Sequence, residues 1–484
     1  MTIAAPWTFG YNRGIFFPPL YRSMTSFLHT KPSRRGFLKQ TGLLAATGTA
    51  IATQLVPHVH ASENNTIKIA LIGSGNRGRG AAIQALAADD NVKLWTIADA
   101  FPERARNAGR IIKDELDHQN QGHKVDVPPE RSFGDLDGYI KAMDTLSAGD
   151  LVLLTSPPAF RPLHFAYAVQ KGLHIFAEKP VAVDVPGLKS MQETNRQAEA
   201  KGLKVAVGLN NRHVYRTEEI IQAIHGGELG ELIAFYVYRC ENAHSLGRQG
   251  DFSPLQHQLR RIFNFNWLTG GFIVDALIHN LDICSWAHQK RPVAALGMGG
   301  RLFRQDQDEL IDNANVQYTF DDGKIMNMYT VAMANTWHGF RAVIHGSKGS
   351  AVLGEGVNDP RMFADWNAQR PSQRPFWAPR SDWNDSYQTQ HNRFFKAIRE
   401  NTAWNEMERG VEATFTAVMG RMAMETGQLV TADEAWASTF QYAPNLADLR
   451  LGHDSPTMPD ANGNYRIPRP GRATIDEPFR ERIG

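Results

Sequence analysis

A chain of 484 residues with 42% apolar side chains can build more than one core, and two domains with extensions are expected. A formal net charge of +2, with no basic run standing clear of its acidic neighbours, excludes a dedicated nucleic-acid binder. No apolar run approaches the roughly 20 residues of a membrane span. Two cysteines, Cys240 and Cys284, exclude a disulfide scaffold and a four-thiolate metal site; the simplest reading is two buried free thiols, with one bridge between them as the alternative.

Residues 1–61 read as a targeting segment. Ser33-Arg34-Arg35-Gly36-Phe37-Leu38-Lys39 matches the twin-arginine export motif, and a mild apolar region of small residues runs from Gly42 to Val56. Val59-His60-Ala61 offers a small-residue cleavage site before Ser62. Met24 is a natural start for such a signal, which would leave 1–23 outside the translated protein. The expected location is periplasmic or extracytoplasmic, reached in the folded state.

Next, an apolar run from Ile67 to Ile72 ends directly in Gly73-x-Gly75-x-x-Gly78. The first glycine permits a tight turn, the second lets backbone approach a pyrophosphate, and the third lets a helix pack closely on the strand. Gly73, Gly75, Asn76, Arg77 and Gly78 are thereby placed to cradle phosphates at a helix N-terminus. A helical run from Ala81 leads to a second apolar run that ends in Asp99, where an acid is expected on the adenosine ribose. Its charge would repel a 2′-phosphate, so NAD is the expected cofactor; Arg104 and Arg106 keep NADP as the alternative.

Strand and helix go on alternating. A helix spans Pro102 to Asp117, and a half-unit covers Phe133 to Asp150. Strand Leu151 to Leu154 ends in Thr155-Ser156-Pro157-Pro158 and is followed by helix Pro162 to Lys171. Strand His174 to Ala177 ends in Glu178-Lys179-Pro180, then come helix Val185 to Lys201 and strand Leu203 to Gly208. This order implies a parallel, doubly wound Rossmann domain over 62–208, with its ligand at the strands' carboxyl ends.

From 209 to 385 the pattern changes. Helix Tyr215 to His225 leads through Gly227-Glu-Leu-Gly-Glu231 into strand Leu232 to Tyr238. Apolar runs follow at Val293 to Met298, Ala314 to Phe320, Ile325 to Met333 and Arg341 to His345, with Asp321-Asp322-Gly323 as a hairpin turn. The expectation is an α/β domain with a mostly antiparallel, open sheet that serves substrate binding and oligomerisation. Helices Ser386 to Glu400 and Met407 to Gln428, within 386–441, are expected to return to the nucleotide domain. The Pro-, Gly- and Arg-rich stretch 442–484 reads as an extended tail.

Two places carry candidate chemistry. Lys179 sits at a strand's carboxyl end before a proline that restricts its backbone, where a cis peptide bond would hold it over the nicotinamide. In Asp275-x-x-x-His279 a helix would put both side chains on one face. A carboxylate there would orient the imidazole and raise its proton affinity, as a general base for an alcohol requires. No metal site is expected, because His279, Asp282 and His288 lack a further strong ligand at suitable spacing.

Together these motifs resemble the glucose–fructose oxidoreductase, inositol dehydrogenase and MocA family. The matching elements, in the family's order, are Gly73-x-Gly75-x-x-Gly78, Pro157-Pro158 with His164, Glu178-Lys179-Pro180, Gly227-Glu-Leu-Gly-Glu231 and Asp275-x-x-x-His279. The resemblance covers roughly Ile67 to Gln428. It implies Lys179, Asp275 and His279 as the catalytic set. Ser156, Pro157, His164, Glu178 and Lys179 join the glycine turn and Asp99 at the cofactor, and Arg212 and Tyr215 join His279 at the substrate. It also implies a homo-oligomer, dimer or tetramer, built on the open sheet face. The insert His244 to Asn266, dense in Arg, His and aromatics, departs from the pattern; it precedes the catalytic helix, where covering the substrate is one role open to it, and the family's substrate contacts carry over poorly there.

The function expected from this resemblance is oxidoreduction of a sugar, polyol or glycoside hydroxyl. Outside the cytoplasm free nicotinamide nucleotide is scarce, so the cofactor must be held tightly and regenerated in the site. Two alternatives stand beside it. One is an NAD-dependent, redox-neutral glycoside hydrolase resembling the N-acetylgalactosaminidases; the other is a non-catalytic sugar- or nucleotide-binding protein.

Overall fold

The first sheet is parallel throughout, because each of its strands is followed by a helix that carries the chain back along the sheet. In chain order it comprises β1 (Ile67–Ile72), α1 (Asn76–Ala87), β2 (Val92–Ala98), α2 (Pro102–Asp117), β3 (Ser132–Phe133) and α3 (Gly138–Asp144). Then come β4 (Leu151–Leu154), α4 (Arg161–Lys171), β5 (His174–Ala177), α5 (Val185–Ala200) and β6 (Val205–Val207). The strands lie in the order β3-β2-β1-β4-β5-β6. Progression reverses between β1 and β4, which opens a crevice at their carboxyl ends. β4 and β5 are buried along their whole length, which is why they read as unbroken apolar runs.

The structure, a computed structural model, describes residues 66–242, 250–367 and 374–479, all within the unit Leu55–Gly484. The expected twin-arginine signal, the start of the insert (244–249) and the end of the tail (480–484) lie outside the described residues.

The chain continues through α6 (Tyr215–His225) into β7 (Leu232–Glu241), then α7 (Pro254–Arg260), α8 (Asn266–Thr269), α9 (Phe272–Ala276) and α10 (Ile278–His288). Five strands follow: β8 (Ala294–Gly300), β9 (Asn313–Thr319), β10 (Ile325–Ala332), β11 (Gly339–Gly346) and β12 (Gly349–Leu353). β13 (Arg361–Phe363), α11 (Ser386–Arg399), α12 (Met407–Thr426), β14 (Leu429–Thr431) and α13 (Ala432–Ala437) complete the elements. The second sheet has the order β13-β12-β11-β7-β10-β9-β8-β14, antiparallel except for the central β7–β10 pair. Burial alternates residue by residue along β9, so one face packs on helices and the other is open.

Val207 and Leu209 from the first layer and Phe235, Tyr318 and Met419 from the second belong to one continuous core. α11 reaches back, with Phe394 and Phe395 packing into the core of Ile67 and Leu151. The tail from Tyr442 has little regular structure but is pinned: Tyr442 and Leu449 bury against Phe101, Leu255 and Trp267. Both cysteines are free and buried. Among the described residues no helix is long and apolar enough to cross a membrane.

Candidate active site at the reversal of strand order

The turn after β1 is shaped by close approach. Gly73 has φ +89°, and a Cβ there would lie 2.6 Å from the backbone nitrogen of Ser156. A Cβ at Gly78 would lie 2.1 Å from the Gly73 carbonyl oxygen, so α1 packs as tightly on the turn as a backbone can. α1 begins at Asn76 rather than Ala81, with Gly75 as its N-cap and Gly78 in its first turn. Gly75, by contrast, faces open space. The first turn of α1 has no acidic residue and no side-chain cap, which leaves its N–H groups available to an anion. A cavity of about 730 Å³ runs along Ser74 to Arg79, and Arg77 Nη2 is buried beside it without a hydrogen-bond partner. A dinucleotide's phosphates fit this cradle.

Asp99 braces the turn. Its Oδ2 accepts from Ser74 N at 2.8 Å and from Ser74 Oγ at 3.0 Å, and Oδ1 accepts from Phe101 N at 3.0 Å. It shares the wall of a smaller cavity with Gly73, Phe101, Leu136, Tyr139 and Pro157.

The loops after β4 and β5 are tied together by Arg161. Its buried guanidinium donates to the Ser156 carbonyl at 2.5 Å and to the Pro180 carbonyl, and burial pushes its pKa down to about 10. His164 Nδ1 pairs with Ser156 Oγ at 2.9 Å; burial and then Arg161 push that imidazole down to about 3, so it stays neutral. Glu178 forms an ion pair with Arg77 Nε at 2.5 Å, which links the end of β5 to the phosphate turn. The Lys179–Pro180 peptide is cis.

Lys179, Asp275 and His279 converge from β5, α9 and α10. Lys179 Nζ donates to the Asp275 carbonyl at 2.8 Å and stands 3.6 Å from Asp275 Oδ1. The reading of Asp275 and His279 as a pair on one helix needs correction. α9 ends at Ala276 and α10 starts at Ile278, so the helical spacing is interrupted at Leu277. The carboxylate nearest His279 Nε2 is Glu355 Oε2, at 4.0 Å. The expected rise in imidazole proton affinity is also reversed. Burial, then Lys179 and Arg239, hold His279 well below the ordinary range of a histidine.

A match to the oxidoreductase family with an NAD-binding Rossmann fold spans residues 67–209, and one to the GFO/IDH/MocA C-terminal domain spans 217–352. The chain carries both domains of the GFO/IDH/MocA family. It is 21% identical to scyllo-inositol 2-dehydrogenase (NAD(+)) of Bacillus subtilis, over 60% of this chain and 74% of that protein. Its fold superposes on aldose-aldose oxidoreductase of Caulobacter crescentus with a TM-score of 0.58 at 16% identity, covering 76% of this chain and 99% of that one. Scyllo-inositol dehydrogenase of Lactobacillus casei, solved with NAD(H) and scyllo-inositol, gives a TM-score of 0.56 at 18% identity, with 76% and 99% covered.

Within this GFO/IDH/MocA chain, Arg212 and Tyr215 make no hydrogen bond or ion pair with Lys179, Asp275 or His279 among the described residues. Arg212 makes a bidentate pair with Asp282, three residues after His279 on α10, at 2.7 and 2.8 Å and lies over the Trp286 ring, in a groove with Glu408 and Glu412. Tyr215 is exposed beside Arg393. In the described part of the insert, Leu259 to Asn264 lie along the phosphate turn.

Sequence reasoning missed Glu355 and Arg239. Arg239 Nη1 donates to the Ala276 carbonyl at 2.8 Å and stands 3.8 Å from Glu355 Oε2, with its guanidinium over Phe340. Glu355 is raised above the usual carboxyl range by burial, against the pull of Arg239 and Lys179. The signal available was Gly354-Glu355-Gly356. Gly354 has φ +104°, and a Cβ there would lie 2.4 Å from Asn280 Oδ1, which accepts from Glu355 N at 2.8 Å. Tyr387, with the Arg77 guanidinium over its ring, also approaches from α11.

Proposed function

We propose that the protein oxidises and reduces a hydroxyl of a sugar, polyol or glycoside, using NAD held tightly and recycled in the site, after export in the folded state. The observation that carries this reading is Lys179 set 2.8 Å from the Asp275 carbonyl, with His279 buried and neutral beside it, at the end of β5 where the Rossmann crevice opens. The nicotinamide supplies the hydride acceptor and donor. Lys179 has three donors and directs one to Asp275, leaving others for the reacting oxygen and its developing negative charge. His279 takes the hydroxyl proton; Glu355, 4.0 Å away, faces the imidazolium that results. Asp275 holds Lys179 in place through its carbonyl and carboxylate.

Support comes from the family's domains and from the sugar- and inositol-related dehydrogenases they resemble. The catalytic assignments and the substrate rest on this arrangement together with that family resemblance. The test is a nicotinamide scan of purified protein, followed by incubation with sugars, polyols and aryl glycosides. Reduction of bound NAD without aglycone release is the expected result. Aglycone release without net reduction would replace this reading with the glycosidase, and neither change would leave a binding protein.

A further inference from the structure

The described part of the insert brings a concentration of positive charge to the dinucleotide cradle. α7 and the turn after it form one wall of the 730 Å³ cavity, opposite Ser74 to Arg79. Arg104 from α2 lies in the same cavity. Arg104, Arg260 and Arg261 meet again in an adjoining hollow of about 220 Å³ with Phe252 and His257. The segment is firmly built. Ser253 and Gln256 form a capping box at the start of α7, and Gln258 accepts from Trp267 Nε1 at 2.6 Å and donates to the Thr457 carbonyl at 2.8 Å.

Of the three guanidiniums, one has an acidic partner. Arg260 Nη2 donates to Glu103 Oε1 at 2.9 Å, and its guanidinium lies 3.8 Å from the Phe101 ring. Among the described residues, Arg104 and Arg261 make no ion pair with a carboxylate. Arg104 is pushed down by burial, and by the charges of Arg260 and Arg261 against the opposing pull of Asp99 and Glu103. Two guanidiniums without a carboxylate ion pair, on the wall of the cavity that runs along the phosphate turn, favour an anion there. Asp99 is the largest opposing charge on Arg104 and offsets that cation in part.

We propose that Arg104 and Arg261 bind a phosphate of the dinucleotide's adenosine half, with Arg260 fixing the insert over it. This rests on the dinucleotide reading of the glycine turn. The phosphate has two sources: the pyrophosphate common to NAD and NADP, and the 2′-phosphate of NADP, which an arginine near the ribose-facing acid accommodates.

The test is titration of the full chain with NADH and with NADPH, followed by nucleotide fluorescence, for wild type, Arg104→Ala, Arg261→Gln and Arg261→Lys. A melting curve accompanies each variant; Arg261 is exposed, so its replacements are expected to fold. Loss of a charge-assisted hydrogen bond should weaken binding by about tenfold or more, and Arg261→Lys should recover part of that loss. Equal loss for both nucleotides places the pyrophosphate at the arginines. Loss confined to NADPH places the 2′-phosphate there. Unchanged affinity for both nucleotides in folded Arg104→Ala and Arg261→Gln overturns the arginine site alone. A wild type that binds neither nucleotide overturns the dinucleotide reading with it.

Discussion

Lys179 Nζ donates to the backbone carbonyl of Asp275 across 2.8 Å, while the Asp275 carboxylate stands 3.6 Å from the same nitrogen. The lysine is thus aimed by a backbone group, which a side-chain change at Asp275 does not remove. Lys179→Met should lower hydride transfer by about 10²–10³, the loss typical of one oxyanion donor. It should also shift the acidic limb of the pH–rate profile upward, because Lys179 helps hold His279 below its ordinary proton affinity. Single-turnover reduction of bound NAD across pH checks both effects. A limb that moves down would contradict the assigned electrostatics.

His279→Ala should retain fold and nucleotide and lose roughly 10²–10⁴ in hydride transfer, the contribution of a positioned base. Glu355→Gln should move the acidic limb down, since it removes the carboxylate nearest the imidazole. A destabilised but fully active His279→Ala, seen by single turnover beside a melting curve, would mean that the histidine only packs.

Asp99→Ala should affect stability as well as affinity. The change strands the Ser74 and Phe101 N–H groups that now donate to the carboxylate, at about 1–3 kcal/mol for each buried unsatisfied donor. NAD affinity should fall with the lost ribose contact. Melting of nucleotide-free protein and NADH titration separate the two effects; wild-type values in both would remove Asp99 from the site.

His391 is buried against Phe176, neither ring nitrogen has a hydrogen-bond partner, and burial pushes its pKa down to about 3. The unfolded chain would take up that proton near pH 6.5, so stability from the neutral ring is complete above that value and is lost as pH falls towards 3. His391→Leu should therefore show a smaller drop in melting temperature between pH 7 and pH 5 than wild type does. An equal drop would show that another group sets the acid sensitivity.

Export is tested through the arginine pair. Arg34→Lys with Arg35→Lys should leave folded, nucleotide-bearing protein in the cytoplasm. Periplasmic delivery of that double variant, scored by fractionation, would make the motif accidental.

The nucleotide domain was legible before any tertiary contact was known. Its strands β4, β5 and β6 are buried throughout and therefore written as short apolar runs, and the glycine spacing is dictated by backbone approach, which local chemistry alone enforces. The sequence also determined that Lys179 stands at a strand's carboxyl end, because the strand–helix alternation fixes which end of β5 faces the crevice. Tertiary structure decided the partners. Glu355 reaches His279 because β12 of the second sheet delivers it beside α10, some 76 positions along the chain (355 − 279). The proton affinity of His279 follows from burial and from cations on other elements, so helical spacing could not give its sign. The insert's destination was equally illegible. Arg260 and Arg261 lie over the phosphate turn because Leu255, Leu259 and Trp267 bury with Phe101 and the tail residue Tyr442. That core exists only once three distant segments have come together.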